Sequence, residues 1–145
     1  MSDAEALVAA VERLSFGLVA VTALAVERAT DGNALTFQQW RVMVIVGDRT
    51  TGVRIGTIAA RLGASGPSAS RIVRRLTARG LVGVDRDPTD GRAVLVRLTE
   101  SGRGLRAEVI ERRRRMIRES LVPIGPGADP ATTLSRVADA LERWV

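Results

Sequence analysis

Residues 62–98, LGASGPSASRIVRRLTARGLVGVDRDPTDGRAVLVRL, constrain this chain more than any other stretch. Gly63 is placed to stop a preceding helix in the left-handed conformation that suits glycine. Ser65 offers a hydroxyl cap and Pro67 fits a first helical turn, so a new helix is predicted from there. Ala69, Ile72, Val73 and Leu76 recur at helical spacing and define its buried face; Gly80 ends it. Leu81–Val84 and Val94–Leu98 have strand character, with Val94, Val96 and Leu98 on one face. Asp87-Pro88-Thr89-Asp90-Gly91-Arg92 is the predicted loop between them. Helix, turn, helix and basic hairpin in that order make a winged helix-turn-helix, a scaffold that can hold duplex DNA.

Charge follows the same segment. The net charge is +6, and all 22 basic residues are Arg. Residues 61–106 contain ten Arg and four acidic residues, a net of +6; the remainder carries twelve of each and sums to zero. The whole excess therefore lies on the predicted reader, as an electrostatic footprint for nucleic acid requires. The chain has no Cys and no His. That excludes disulfides, thiolate metal sites and a cysteine redox switch, and it removes the commonest general base. No cofactor or metal site is expected. The N-terminal MSDAEALVAAVERL lacks a basic n-region, so no signal peptide is expected. Charges are taken to interrupt every apolar run, so no membrane span is expected either. A reducing cytoplasm is the simple expectation.

The flanks are predicted helices. Over residues 4–29, Leu7, Val11, Leu14, Leu18, Val21 and Ala25 are spaced 4, 3, 4, 3, 4. That stripe resembles a coiled-coil seam, widened by Val8, Val19, Leu24 and Val26. Asp31-Gly32-Asn33 breaks this helix. Thr36 and Gln39 have capping-box spacing and open a second one, with Trp40 and Val44 on one face. A short third helix covers about 54–62. Beyond the hairpin a long helix runs from Thr99-Glu100 to about 120. Pro123, Gly125, Pro126, Gly127 and Pro130 make a break, and a last helix carries Leu134, Val137, Leu141 and Trp144. The fold class is thus mainly α with a small β-hairpin wing, in one domain over 1–145. A winged-helix lobe at about 36–99 is flanked by helices at about 4–30 and 100–145. The terminal apolar seams need a partner, in the same chain or in a second copy.

On a helical wheel, Pro67, Arg71, Arg74 and Ala78 point away from the core face, with Ser68, Ser70 and Arg75 on the flanks. Small polar residues let a helix approach the major groove closely. Arg can bond guanine in a bidentate manner, and Ser can reach a base edge or a phosphate. Arg92 at the hairpin tip can enter a narrow minor groove. Arg86 and Arg97 are further phosphate candidates. Asp90 is unwelcome beside phosphates and is predicted to brace the loop by pairing with Arg86 or Arg92. The run Arg112–Arg115 points in four directions around a helix, and Glu108 and Glu111 lie one turn from Arg112 and Arg115. It reads as a salt-bridged surface. An enzyme would need paired carboxylates or an Arg-based site, and none is found; Asp85, Asp87 and Asp90 lack calcium-loop spacing. RNA binding would call for stacking aromatics, and segment 62–98 has none. A winged-helix module that binds another protein, or an architectural DNA binder without base preference, stands as the alternative.

LTFQQWRVMVIV, IAARLGASGPSASRIVRRLTARGLV and DRDPTDGRAVLVRLTESG together resemble the MarR family of bacterial transcription factors, in that family's order and over nearly the whole chain. The resemblance implies a homodimer built from the terminal helices, a recognition helix in the major groove and a wing in the minor groove. By that match Ser65, Pro67, Ser68, Ser70 and Arg71 fall on recognition-helix positions, Arg92 on the wing arginine and Asp90 on the acidic residue bracing it. Arg74, Arg75 and Arg86 complete the predicted DNA-binding set. The resemblance further implies a repressor on a palindromic operator. It also implies a small apolar or aromatic ligand held near Phe16, Trp40, Val44 and Leu105. The cysteine-oxidation route of such families is closed here.

Overall fold

The computed structural model describes residues 2–33, 35–121 and 129–142. Six helices and three strands follow in the order α1 (Asp3–Ala29), α2 (Phe37–Gly47), β1 (Val53–Arg54), α3 (Ile55–Leu62), α4 (Gly66–Ala78), β2 (Val82–Asp87), β3 (Asp90–Leu98), α5 (Glu100–Leu121) and α6 (Pro130–Glu142). They form two compact units. One comprises residues 1–31 and 109–145, the other residues 32–108. The border falls inside α5, at 108/109, where the sequence suggested 99/100. Trp144 and the break at Pro123, Gly125, Pro126 and Gly127 lie outside the described residues.

The terminal unit is helical. Ser2 and Glu5 make a reciprocal capping box that starts α1, and the Ser2 amide lowers the Glu5 pKa. Helix α1 packs along α6, with Gly17 against Leu141. That packing revises the seam. Val21 and Ala25, its C-terminal members, are buried within the chain, and Leu14 and Leu18 are half-buried. Exposed apolar side chains lie toward the N-terminal part of α1: Leu7, Val8, Val11, Phe16 and Val19. The expectation that charge interrupts every apolar run does not hold for α1. By length and composition α1 is apolar enough to cross a bilayer, because residues 14–26 hold no charge. In the fold, part of that apolarity is used against α6. On α5, Glu111 approaches Arg118 at 4.0 Å, two turns on, rather than Arg115.

The reader unit is a helix-turn-helix with a three-stranded antiparallel sheet in the order β1-β3-β2. Thr36 and Gln39 form the predicted capping box at the start of α2. Met43 and Val46 of α2, Ile58 and Leu62 of α3, and Ala69, Val73 and Leu76 of α4 are buried together with Val82 and Val96 of the sheet. Gly63 closes α3 at φ +66°, as predicted. Strand β1 was not predicted; two residues long, it pairs Val53 with Val96 and Arg54 with Leu95. The start of α5 is fitted tightly to the end of α4. The Thr99 amide donates to the Leu81 carbonyl (3.1 Å), and the Thr99 hydroxyl donates to the Gly80 carbonyl (2.6 Å) and accepts from the Gly102 amide (3.0 Å). A Cβ on Gly102 would stand 2.0 Å from the Leu81 carbonyl oxygen, so no other residue fits without a backbone shift.

Candidate nucleic-acid interface

Helix α4 carries the first half of the site. The Ser65 hydroxyl caps it by accepting from the Ser68 amide at 3.3 Å, and Pro67 sits in the first turn, where a missing amide hydrogen matters least. The Ser68 hydroxyl is shared. It accepts from Ser65 at 3.0 Å and from the Arg71 guanidinium at 3.3 Å. Arg71 is thus held against the helix by the same serines that cap it, which lowers the entropy it loses on meeting a ligand. Arg74 and Arg75 are exposed, and no hydrogen bond or ion pair ties their side chains among the described residues. Ser65 and Pro67 are exposed, Ser68 and Ser70 half-buried. All lie on the side away from buried Ala69, Val73 and Leu76; Ile72, expected in the core, is half-buried.

The wing carries the second half, and here the structure departs from the sequence expectation. The loop is shorter than predicted, with only Pro88 and Thr89 between β2 and β3. The register then shifts. Arg86 faces Val94, yet Asp87 faces Asp90, which leaves Gly91, Arg92 and Ala93 without cross-strand partners. Such a bulge re-aims the side chains it carries. Arg92 and Arg86 are exposed, and both lack a side-chain partner among the described residues.

Asp90 does not pair with the side chain of Arg86 or Arg92. Its carboxylate accepts from the Arg92 backbone amide at 3.1 Å and stands 3.9 Å from Arg54. The principal brace is Asp87, which the sequence analysis dismissed as a loop residue. Its side chain is only 6% exposed. One carboxylate oxygen accepts from the Thr89 amide (2.8 Å) and hydroxyl (2.7 Å), the other from Arg54 Nε (2.8 Å) and Nη2 (2.5 Å). The Thr89 hydroxyl and amide, followed by the Arg54 guanidinium, hold the Asp87 carboxyl at about 2, below its ordinary 3.8, against the opposing effect of burial. Arg54 stands on β1 and Asp87 on β2, at opposite edges of β3, so this ion pair spans the sheet. Asp-Pro-Thr carries the local signal for a side chain bonding the backbone two residues on. Arg54 has no local signal at all, because its partner is 33 residues away.

Of the predicted ligand-lining residues, Trp40 is 5% exposed and belongs to the core of the reader unit. Val44 and Leu105 are half-buried in that unit. Phe16 belongs to the terminal unit and is 72% exposed. Among the described residues no group of His, Cys, Asp or Glu could hold a metal ion.

A short helix-turn-helix, an Arg-bearing second helix and an Arg-tipped antiparallel wing define a winged-helix DNA-binding fold. Residues 35–93, from the start of α2 to the wing, match the MarR family. Among solved structures, RV1404 from Mycobacterium tuberculosis is 26% identical, with a TM-score of 0.78 over 99% of this chain and 94% of that one. The PcaV transcriptional regulator from Streptomyces coelicolor, solved with its natural ligand, is 32% identical with a TM-score of 0.52, covering 63% of this chain and 64% of its own. The S. aureus MepR–DNA complex shares the fold at 21% identity and a TM-score of 0.62, over 69% of this chain and 82% of that one. No curated protein matches the sequence. Over residues 35–93 the chain is similar to the MarR family, and its fold is the winged-helix fold of the transcriptional regulators it resembles.

Proposed function

We propose that the protein is a cytoplasmic, homodimeric repressor that binds an inverted repeat in double-stranded DNA and blocks transcription sterically. The observation that carries this reading is the set of cations on the reader that have no side-chain partner among the described residues: Arg74 and Arg75 on α4, Arg86 and Arg92 on the wing, beside an Arg71 already held by Ser68. Helix α4 would enter the major groove by its first turns, with Arg71 reading base edges and Ser65, Ser68 and Ser70 bonding phosphate or base. Arg92, offered by the bulge, would enter the minor groove. The solved MepR–DNA complex supports the use of this fold on duplex DNA. The exposed apolar residues of α1 support a second copy as partner, because two readers about one helical turn apart need a rigid link.

Release by a small apolar or aromatic ligand is the second part of the proposal, supported by the likeness to PcaV, which is solved with its natural ligand. Such a ligand would act by changing the spacing between two readers, and a few kcal/mol of differential affinity suffices. Selection from random duplexes by the purified protein at physiological salt tests the reading. Enrichment of an inverted repeat with half-sites about 10 base pairs apart is expected. Binding without enrichment would instead indicate an architectural DNA binder. Absence of DNA binding would indicate a protein-interaction module.

A further inference from the structure

A second cluster of arginines lies at the other end of the sheet from the wing tip. A concavity of about 160 Å³ is lined by Val46 at the end of α2, Arg49 and Thr50 of the following loop, Arg97 and Leu98 at the end of β3, and Arg103 in α5. Three guanidinium groups therefore border one small space, and no carboxylate among the described residues lines it. Two of them are oriented by the backbone. Arg97 donates from Nε and Nη2 to the Thr51 carbonyl at 3.2 and 3.0 Å, and Arg103 donates from Nη1 to the Leu98 carbonyl at 2.9 Å. A carbonyl fixes a guanidinium without neutralising it, so these bonds orient both groups and leave their charge in place. Of the nearby acids, Asp48 is engaged by other arginines, and Asp85 makes only an exposed, solvent-screened ion pair with Arg97. Asp48 holds Arg106 at 2.9 Å and approaches Arg61 at 3.7 Å, and the exposed Asp85 stands 3.7 Å from Arg97.

The loop is shaped for this arrangement. Gly52 has φ +90°, and a Cβ there would lie 3.0 Å from Arg97 Nε, so only glycine lets the Arg97 side chain lie across the turn. Arg49 is exposed and has no side-chain partner among the described residues. Three like charges around one space repel each other, and a multivalent anion is what relieves that repulsion. A cavity of about 150 Å³ accepts a benzene-sized guest; pyrophosphate is of that order and a nucleotide is not. The site is also distinct from the reading face. None of its lining residues comes from α4, and Arg97 follows Arg92 by about 16 Å of extended strand.

We propose that Arg49, Arg97 and Arg103 form a binding site for a small free oxyanion of two or more negative charges, such as a phosphate or pyrophosphate group. Bound there, the anion would join the end of α2, the loop before β1, the end of β3 and the start of α5, all of which hold the wing and the helix-turn-helix together.

The test is a titration of the ¹⁵N-labelled full chain with sodium pyrophosphate, at an ionic strength held constant with sodium chloride. Saturable shifts of the amides of residues 47–52 and 97–103 are expected. Arg49→Ala, at an exposed position that leaves the fold intact, is expected to weaken them by about tenfold, the loss of one charge-assisted contact. Shifts that fail to saturate would overturn the proposal, as would an Arg49→Ala titration that matches the parent. A parallel titration with a random duplex separates the two sources of phosphate. Equal shifts at residues 47–52 with the duplex would make this a contact to the DNA backbone and overturn the free-anion site.

Discussion

Helices α1 and α4 each expose what their own unit does not use, and they expose opposite chemistries. Helix α1 presents Val8, Val11, Phe16 and Val19, and no charge interrupts residues 14–26. Helix α4 presents serines and arginines above a buried face of three small or medium apolar residues. An exposed apolar stripe of that length is satisfied by excluding water, which suits a permanent partner. Exposed, unpaired arginines are satisfied by phosphate or base edges, and they release counterions when they bind, which suits a reversible and salt-sensitive partner. The division of the chain into two units thus matches a division between two surface chemistries.

The largest expected effect attacks the apolar side. Phe16→Glu with Val19→Glu changes exposed positions, so the monomer fold should survive. Dimerisation should weaken by roughly a hundredfold, about 3 kcal/mol, seen as a halved mass in sedimentation; an unchanged mass would remove α1 from the interface. Gly102→Ala tests the reader's framework instead. The Leu81 carbonyl must move, and a loss of about 1–3 kcal/mol is expected in urea unfolding; an unaltered midpoint would mean that α5 shifts freely.

On the charged side, Arg71→Ala should cost about 1–3 kcal/mol on the selected site and much less on random duplex. Equal losses on both would reduce Arg71 to a phosphate contact. The smallest effect concerns the brace. The folded pKa of Asp87 lies below its unfolded value, so its contribution is complete above about pH 4. It is lost as pH falls through about 2. Wing amide shifts followed from pH 6 to 2 should show that transition, and Asp87→Asn should abolish it.

These positions differ in how far the sequence revealed them. Thr36, Gln39, Ser65, Pro67 and Gly63 act on neighbours within a few residues, so spacing alone located the ends of α2, α3 and α4. The exposed arginines of α4 followed from helical periodicity for the same reason. Arg54 and Asp87 meet only because β1 and β2 flank β3, and a two-residue strand leaves no periodic trace. The bulge that frees Arg92 depends on a register that hydrophobic alternation over Val94–Leu98 does not report. The seam of α1 misled in the other direction. A 4-3 spacing states that a face is apolar, but not whether α6 or a second chain covers it.

The Arg54–Asp87 pair has a consequence for the chain's exposure to proteases. It ties the end of β2 to the start of α3 by side chains, in addition to the backbone pairing of β1 with β3. Breaking it would let the hairpin open without unfolding the core. Arg86 and Arg92 flank that tie, and with no lysine in the chain an arginine-specific protease has the same sites as trypsin. Cleavage after Arg92 would therefore act as a clock for wing opening, slow while Asp87 holds Arg54 and faster in Arg54→Ala.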